Sequence, residues 1–109
     1  MIGKIIEVTV DRPLGSVHPR YKELRYPVNY GYVKGIIGGD GEEQDVYILG
    51  VDCPVSSFVG RVVAVIHRLN DTEDKWVVAP EGISFAKDDI ARLVEFQEKY
   101  FDIEIITEI

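Results

Sequence analysis

The alternation of apolar and polar positions divides the chain into short extended runs followed by one helical run. Residues 4–10 (KIIEVTV) are rich in β-branched side chains and predict a first strand. Tyr30–Ile37 predicts a second, stopped by the turn Gly38-Gly39-Asp40-Gly41. Asp45–Val51 (DVYILGV), Val59–Arg68 (VGRVVAVIHR) and Lys75–Ala79 (KWVVA) are apolar enough to be buried strands. Residues 11–31 hold three prolines and clustered polar side chains, so irregular or briefly extended backbone is expected there. Over residues 86–101, Ile90, Leu93, Val94 and Phe101 fall near one helical face, with Lys87, Asp88, Arg92, Glu95 and Lys99 elsewhere. Ser84 is a candidate N-cap, and Asp88 and Asp89 suit the positive helix start. Ile103–Ile106 predicts a final strand. The pattern is that of an α+β, mainly β chain: a small twisted β-barrel of OB-like type, or a sheet, with one C-terminal helix packed on it. No repeat divides it, so residues 1–109 are expected to form a single domain.

Composition narrows the class. The chain is 46% hydrophobic and 28% charged, which excludes a disordered or collagen-like polymer. No apolar run approaches the roughly 20 residues that span a bilayer, and the first residues do not read as a secretory leader. The lone Cys53 fits a reducing compartment, so a cytoplasmic protein without a membrane partner is expected. The net charge of −7 is unevenly spread, +3 over residues 1–39 and −10 over residues 40–109. An acidic chain lacks the basic footprint of a nucleic-acid binder. Acids gathered in short loops, with cations elsewhere, suit a hard divalent metal carrying a phosphate; a solvated acidic surface is the commoner reading of such a charge.

Three segments carry candidate chemistry. In Asp40-Gly41-Glu42-Glu43-Gln44-Asp45, the side chains of Asp40, Glu42 and Asp45 can converge on a hard cation such as Mg²⁺, Mn²⁺ or Ca²⁺, although an acidic turn without metal is more common on spacing alone. Asp71-Thr72-Glu73-Asp74-Lys75 is a second acidic turn; facing the first, it would complete a carboxylate bowl with a lysine at its edge. Tyr26-Pro27-Val28-Asn29-Tyr30-Gly31-Tyr32 supplies hydroxyl and amide groups for phosphate or a water, or packs as aromatic core, the reading favoured for Tyr32. His67 reads as structural and His18 as a surface histidine in a basic loop. Cys53 has no base near it in sequence, which disfavours a thiol nucleophile.

The combination YPVNYGYV, DGEEQDVYIL and NDTEDKWVVAP, spanning residues 26–80, resembles the soluble family I inorganic pyrophosphatases. The resemblance implies hydrolysis of pyrophosphate to two phosphates with Mg²⁺, or Mn²⁺, as cofactor. It implies metal binding by Asp40, Glu42, Asp45, Asp71 and Glu73, with Glu at two positions where the family carries Asp. It implies phosphate binding by Lys75, Arg20, Tyr26 and Tyr100, and catalytic roles for Asp45, Glu42 and Tyr30, with Asp45 or Glu42 orienting the attacking water. Asp11 falls at an acidic position of the family, in a segment resembling Glu-Ile-Pro-x-Gly-Ser. A homo-oligomer is implied as well.

The chain is shorter than the family's usual members. The stretch from Arg20 to Tyr26 cannot hold the hairpin that carries a further phosphate-binding arginine, so His18, Arg20 or Arg25 would have to substitute, and Phe101 stands where a lysine commonly follows the last tyrosine. Two alternatives therefore stay open: a hydrolase of another small phosphorylated substrate, and a non-catalytic metal- or anion-binding module on the same scaffold.

Overall fold

The computed structural model describes residues 2–107. Six strands, β1 (Ile5–Arg12), β2 (Asn29–Ile37), β3 (Glu43–Ile48), β4 (Ser57–Arg68), β5 (Asp74–Ala79) and β6 (Ile103–Ile106), accompany one helix, α1 (Lys87–Glu98). The strand order is β1-β2-β3-β5-β4, and β4 returns to β1, so five strands close into a barrel. Closure leaves these strands without a free edge. All pairings are antiparallel except β3 with β5. β4 is the seam: its first half pairs with β1 and its last four residues with β6, while β5 runs along its other edge.

Two cores follow from the alternation of side chains. Inside the barrel lie Val8, Val33, Val46, Ile48, Val62, Trp76 and Val78. On the outside, beneath α1, lie Tyr26, Tyr30, Tyr47, Leu49, Ala64, Ile66 and Val77 with Ile90 and Val94 of the helix. Strands β3 and β5 bury both faces, which is why they read as continuous apolar runs rather than alternating ones. In β4 a register shift between Val62 and Ala64 breaks the alternation. Val62 faces the barrel interior, yet Ala64 and Ile66 face the helix; the extra residue of the bulge turns the strand over. Arg68, two residues past Ile66, is thereby delivered to the helix side.

Glycine is required where strands meet closely. A Cβ on Gly31 would stand 2.0 Å from the Thr9 carbonyl oxygen of the neighbouring strand. Asn29 is fully buried and pins two loops: its Oδ1 accepts from the amides of Leu14 and Val55 and its Nδ2 donates to the Cys53 carbonyl. The Asn of the tyrosine-rich segment is therefore a structural tie.

The helix starts at Lys87 behind Ala86, with no side-chain cap, so Ser84 lies too early to serve. Asp88 and Asp89 in the first turn offset the exposed amides electrostatically instead. It ends at Glu98, and Phe101 lies beyond it rather than on its face. Among the described residues, no helix is long and apolar enough to cross a membrane. Glu108, an acid expected at the surface from its charge alone, lies outside the described residues.

Candidate active site

The two acidic loops are brought together by backbone contact. Gly39 packs so tightly on the 70–74 turn that a Cβ there would stand 2.1 Å from the Thr72 carbonyl oxygen. Gln44 ties the same pair, donating to the Asp74 carbonyl at 2.7 Å. Beside this junction opens a cavity of about 810 Å³ whose wall includes Asp11, Asp40, Asp45 and Glu73 together with Arg12, Arg68 and Lys75. Tyr30 lies in its lining, and Tyr100, 68% exposed, stands at its rim.

Lys75 is the hub. Its ammonium, almost wholly buried, donates to Asp45 Oδ2 at 2.6 Å, to Tyr30 Oη at 2.8 Å and to Glu73 Oε1. Burial raises the Asp45 pKa, but hydrogen bonding to Glu73 and the Lys75 charge outweigh it and hold Asp45 below the usual carboxylate range. Burial and the hydrogen bond to Asp45 push Glu73 up. The neighbouring carboxylates are thus driven apart, with any shared proton residing on Glu73. Tyr30 is pushed well above 10, first by burial and then by the Asp45 charge, so it remains a neutral hydroxyl. Asp11 is raised by burial, partly offset by Arg12.

The second cation, Arg68, was passed over in the sequence as the end of an apolar strand. It is buried and bidentate: Nη2 donates to Glu98 Oε2 at 2.6 Å and Nε to Oε1 at 2.9 Å. Its guanidinium lies over the Phe101 ring, 3.7 Å from the centroid. Nη1 faces the loop, 3.5 Å from Asp71 Oδ2 and from Glu73 Oε2. Burial disfavours the charge, but the Glu98 hydrogen bonds outweigh it and raise the pKa further, so Arg68 is permanently cationic.

A chain of hydrogen bonds joins Arg68 to Arg12 through the last turn of α1. Arg12 Nη1 donates to Tyr26 Oη at 2.6 Å, and Tyr26 donates to Gln97 Oε1 at 2.9 Å. Gln97 Nε2 donates to Tyr47 Oη at 2.7 Å, and Tyr47 donates to Glu98 Oε2 at 2.6 Å. Tyr26 is fully buried in this chain and packs edge-on against Phe96.

The other expected residues are more dispersed. Glu42 is exposed on its turn, where its amide donates to Asp40 Oδ1 at 3.0 Å, and it is not in the cavity wall. Asp71 is also outside the wall, turned toward Arg68. Arg20 lines a smaller depression of about 510 Å³ beside His18 and Tyr21. Arg25 is spent on the Gly15 carbonyl at 2.7 Å. His18 lies in the cavity wall, its Nδ1 accepting from the amides of Arg20 and Tyr21, and desolvation and the nearby Arg12 lower its pKa. The arginines of the cavity are therefore Arg12 and Arg68, neither of which the sequence had singled out as a ligand. Arg12 was within reach of sequence reasoning, since it adjoins Asp11, which the resemblance placed at an acidic position of the family. His67 pairs with Asp74 at 2.6 Å, and Cys53 is an exposed free thiol.

Among the described residues, no three His, Cys, Asp or Glu side chains are grouped closely enough to hold a metal unaided. Neither a protein-family model nor a curated protein matches the sequence. Comparison of folds does find counterparts. An inorganic pyrophosphatase from Neisseria gonorrhoeae superposes with a TM-score of 0.69 at 22% identity, over 90% of this chain and 74% of that one. An inorganic pyrophosphatase from Ehrlichia chaffeensis gives 0.71 at 19% identity, over 95% and 85%. The enzyme from Helicobacter pylori gives 0.72 at 16% identity, over 96% and 85%. The chain has the fold of these bacterial pyrophosphatases.

Proposed function

We propose that this chain hydrolyses inorganic pyrophosphate to two phosphates with the help of Mg²⁺ or Mn²⁺. The observation that carries the reading is the wall of one cavity, where Asp11, Asp40 and Asp45 adjoin the fixed cations Arg12 and Lys75. Carboxylate oxygens are the donors a hard divalent ion prefers, and guanidinium and ammonium groups bind phosphoryl oxygens. Mg²⁺ is commonly held by one or two carboxylates together with water and substrate phosphates, so a preformed protein cage is not needed.

In this reading Asp40 and Asp45 hold the ion, with Asp11 on the same wall. Glu42, Asp71 and Glu73 lie outside that reduced ligand set. Bound there, a divalent ion supplies charge neutralisation and a more acidic water. Asp45, kept ionised, would orient the attacking water. Tyr30, hydrogen-bonded to Lys75 and kept neutral, fixes the ammonium. Arg12 receives the phosphoryl oxygens, and Lys75, whose three N–H donors are taken by Asp45, Tyr30 and Glu73, would do so by exchanging one of these acceptors for phosphate, stabilising charge that develops there. Tyr100 and His18 border the opening and contact the outer phosphate, while Tyr26 acts at one remove by fixing Arg12. By resemblance, the working form is a cytoplasmic homo-oligomer.

Phosphate release from pyrophosphate across Mg²⁺ and Mn²⁺ concentrations tests the reading. Metal-dependent release, reduced at least ~10²-fold in Asp45→Asn, is expected. No release with either ion, or equal release in Asp45→Asn, removes it.

A second reading is favoured by the satisfied state of the carboxylates: Lys75 already neutralises Asp45 and Glu73. A non-catalytic anion-binding module would give calorimetric binding of pyrophosphate without turnover. Release from a nucleotide or sugar phosphate in preference to pyrophosphate would instead identify another phosphorylated substrate.

A further inference from the structure

Among the buried groups that the proposed reaction does not use, Arg68 carries a fixed charge beside the cavity. We infer that Arg68 is a built-in cation that closes the Asp71–Glu73 loop in place of a divalent ion, so that metal recruitment is confined to the Asp40–Asp45 side of the cavity. The inference rests on the proposed divalent-ion reading of the cavity and goes beyond it, because it assigns where a metal does not bind and why.

Three observations carry it. First, the two loop carboxylates that would face a metal both face the same guanidinium nitrogen, at 3.5 Å each. Second, Arg68 is fixed. Its other nitrogens are bidentate to Glu98, which is itself 2% exposed, and its plane is stacked on Phe101. A bidentate guanidinium gains geometric specificity as well as charge pairing, and withdrawing it would strand Glu98 as a buried anion. Third, the two sides of the cavity differ. Lys75 pairs with one carboxylate of each side, Asp45 and Glu73, so the difference lies in the other two: Asp71 faces Arg68, whereas Asp40 has no salt-bridge partner among the described residues and its carboxylate accepts a hydrogen bond from the Glu42 amide. A divalent ion between Asp71 and Glu73 would be repelled by a guanidinium that can neither leave nor lose its proton; an ion at Asp40 would not meet that obstacle.

The test is Mn²⁺ binding without substrate, read by calorimetry and by water-proton relaxation, on the full chain. The variants are Asp71→Asn, Asp45→Asn and the uncharged pair Arg68→Gln/Glu98→Gln. Asp71→Asn should bind Mn²⁺ within twofold of the unaltered chain, whereas Asp45→Asn should bind at least tenfold more weakly. The double variant, its fold checked by Trp76 fluorescence and circular dichroism, should bind one more Mn²⁺ per chain, and adding Asp71→Asn should remove that extra ion. A tenfold loss in Asp71→Asn alone, or an unchanged stoichiometry in the folded double variant, overturns the inference. If the double variant does not fold, Asp71→Asn in the unaltered chain decides. If the unaltered chain binds no Mn²⁺, that counts against the divalent-ion reading of the cavity, and the gain or absence of an ion in the double variant decides the role of Arg68.

Discussion

Arg68 at the end of β4 and Glu98 at the end of α1 form a buried, two-pronged ion pair, with nitrogen–oxygen distances of 2.6 and 2.9 Å. It fastens the helix to the barrel rim beside the cavity. Removing one partner leaves the other charged and dry, which typically costs ~3–5 kcal/mol. Glu98→Ala should lower stability by about that amount in urea unfolding followed by Trp76 fluorescence. Replacing both partners by apolar side chains, Arg68→Met with Glu98→Leu, should recover most of the loss, since the desolvation of two ions is no longer required. A double variant no more stable than Glu98→Ala would show that the pair is not the fastening.

Lys75 has a different kind of importance, since its three acceptors are all groups of the cavity. Lys75→Gln keeps a hydrogen-bonding end but removes the charge. Phosphate release should fall ~10²-fold, as when one transition-state donor is removed from an active site. The measurement is steady-state release over a range of pyrophosphate concentrations, which separates kcat from KM. Unaltered kinetics would mean that Lys75 is only a counter-ion for Asp45 and Glu73.

Barrel closure depends on a missing side chain. The 2.0 Å separation between a Cβ on Gly31 and the Thr9 carbonyl oxygen is far inside contact distance. Gly31→Ala must therefore push β1 and β2 apart at their pairing, at a cost of at least ~1–3 kcal/mol, the usual range for overpacking. The midpoint of thermal unfolding should drop accordingly. An unchanged midpoint would show that the two strands can separate at little cost.

The buried phenols predict alkaline behaviour. Burial first, and then nearby carboxylate charge, hold Tyr30 and Tyr47 well above 10; burial also raises Tyr26, partly offset by Arg12. These are acids whose folded pKa exceeds the unfolded value. Their contribution to stability is full below pH 10 and is lost as pH rises from there toward the folded pKa, because the unfolded chain releases those protons first. Absorbance at 295 nm should show these three of the six tyrosines resisting ionisation until circular dichroism reports unfolding. Six tyrosines ionising smoothly near pH 10 in a folded chain would contradict the packing around Tyr47 and Tyr30.

Much of this architecture was legible as periodicity. The apolar runs of β3, β4 and β5 and the terminal strand Ile103–Ile106 stand out because burial on one or two faces imposes a repeat of its own on the residues. Pairing partners leave no such local trace, so the parallel contact of β3 with β5 and the bulge at Val62–Ala64 were not foreseeable. The same distinction runs through the site. Asp40, Asp45, Glu73, Lys75 and Tyr30 were found as clusters in sequence and Tyr100 through the resemblance, and they share one cavity. Arg68 was missed because it closes a run of apolar residues and its partner Glu98 lies 30 positions away. Arg20 was assigned by resemblance and Arg12 was not considered, although Arg12 lines the cavity and is held by its hydrogen bond to Tyr26.

The bulge in β4 has a further consequence for how this chain can vary in length. Parity along a strand decides which face a side chain takes, and the irregularity between Val62 and Ala64 is where β4 changes parity. Removing one residue there would leave the barrel interior upstream untouched and would invert everything downstream. Ala64 and Ile66 would leave the helix, and Arg68 would turn away from Glu98 and from the 70–74 loop. A single-codon deletion at that point would therefore act as a lesion of the cavity some way along the strand, while the same deletion in the exposed 50–56 connection would leave that parity in place. Among related chains of different length, gaps should accordingly gather in the connections and avoid this strand.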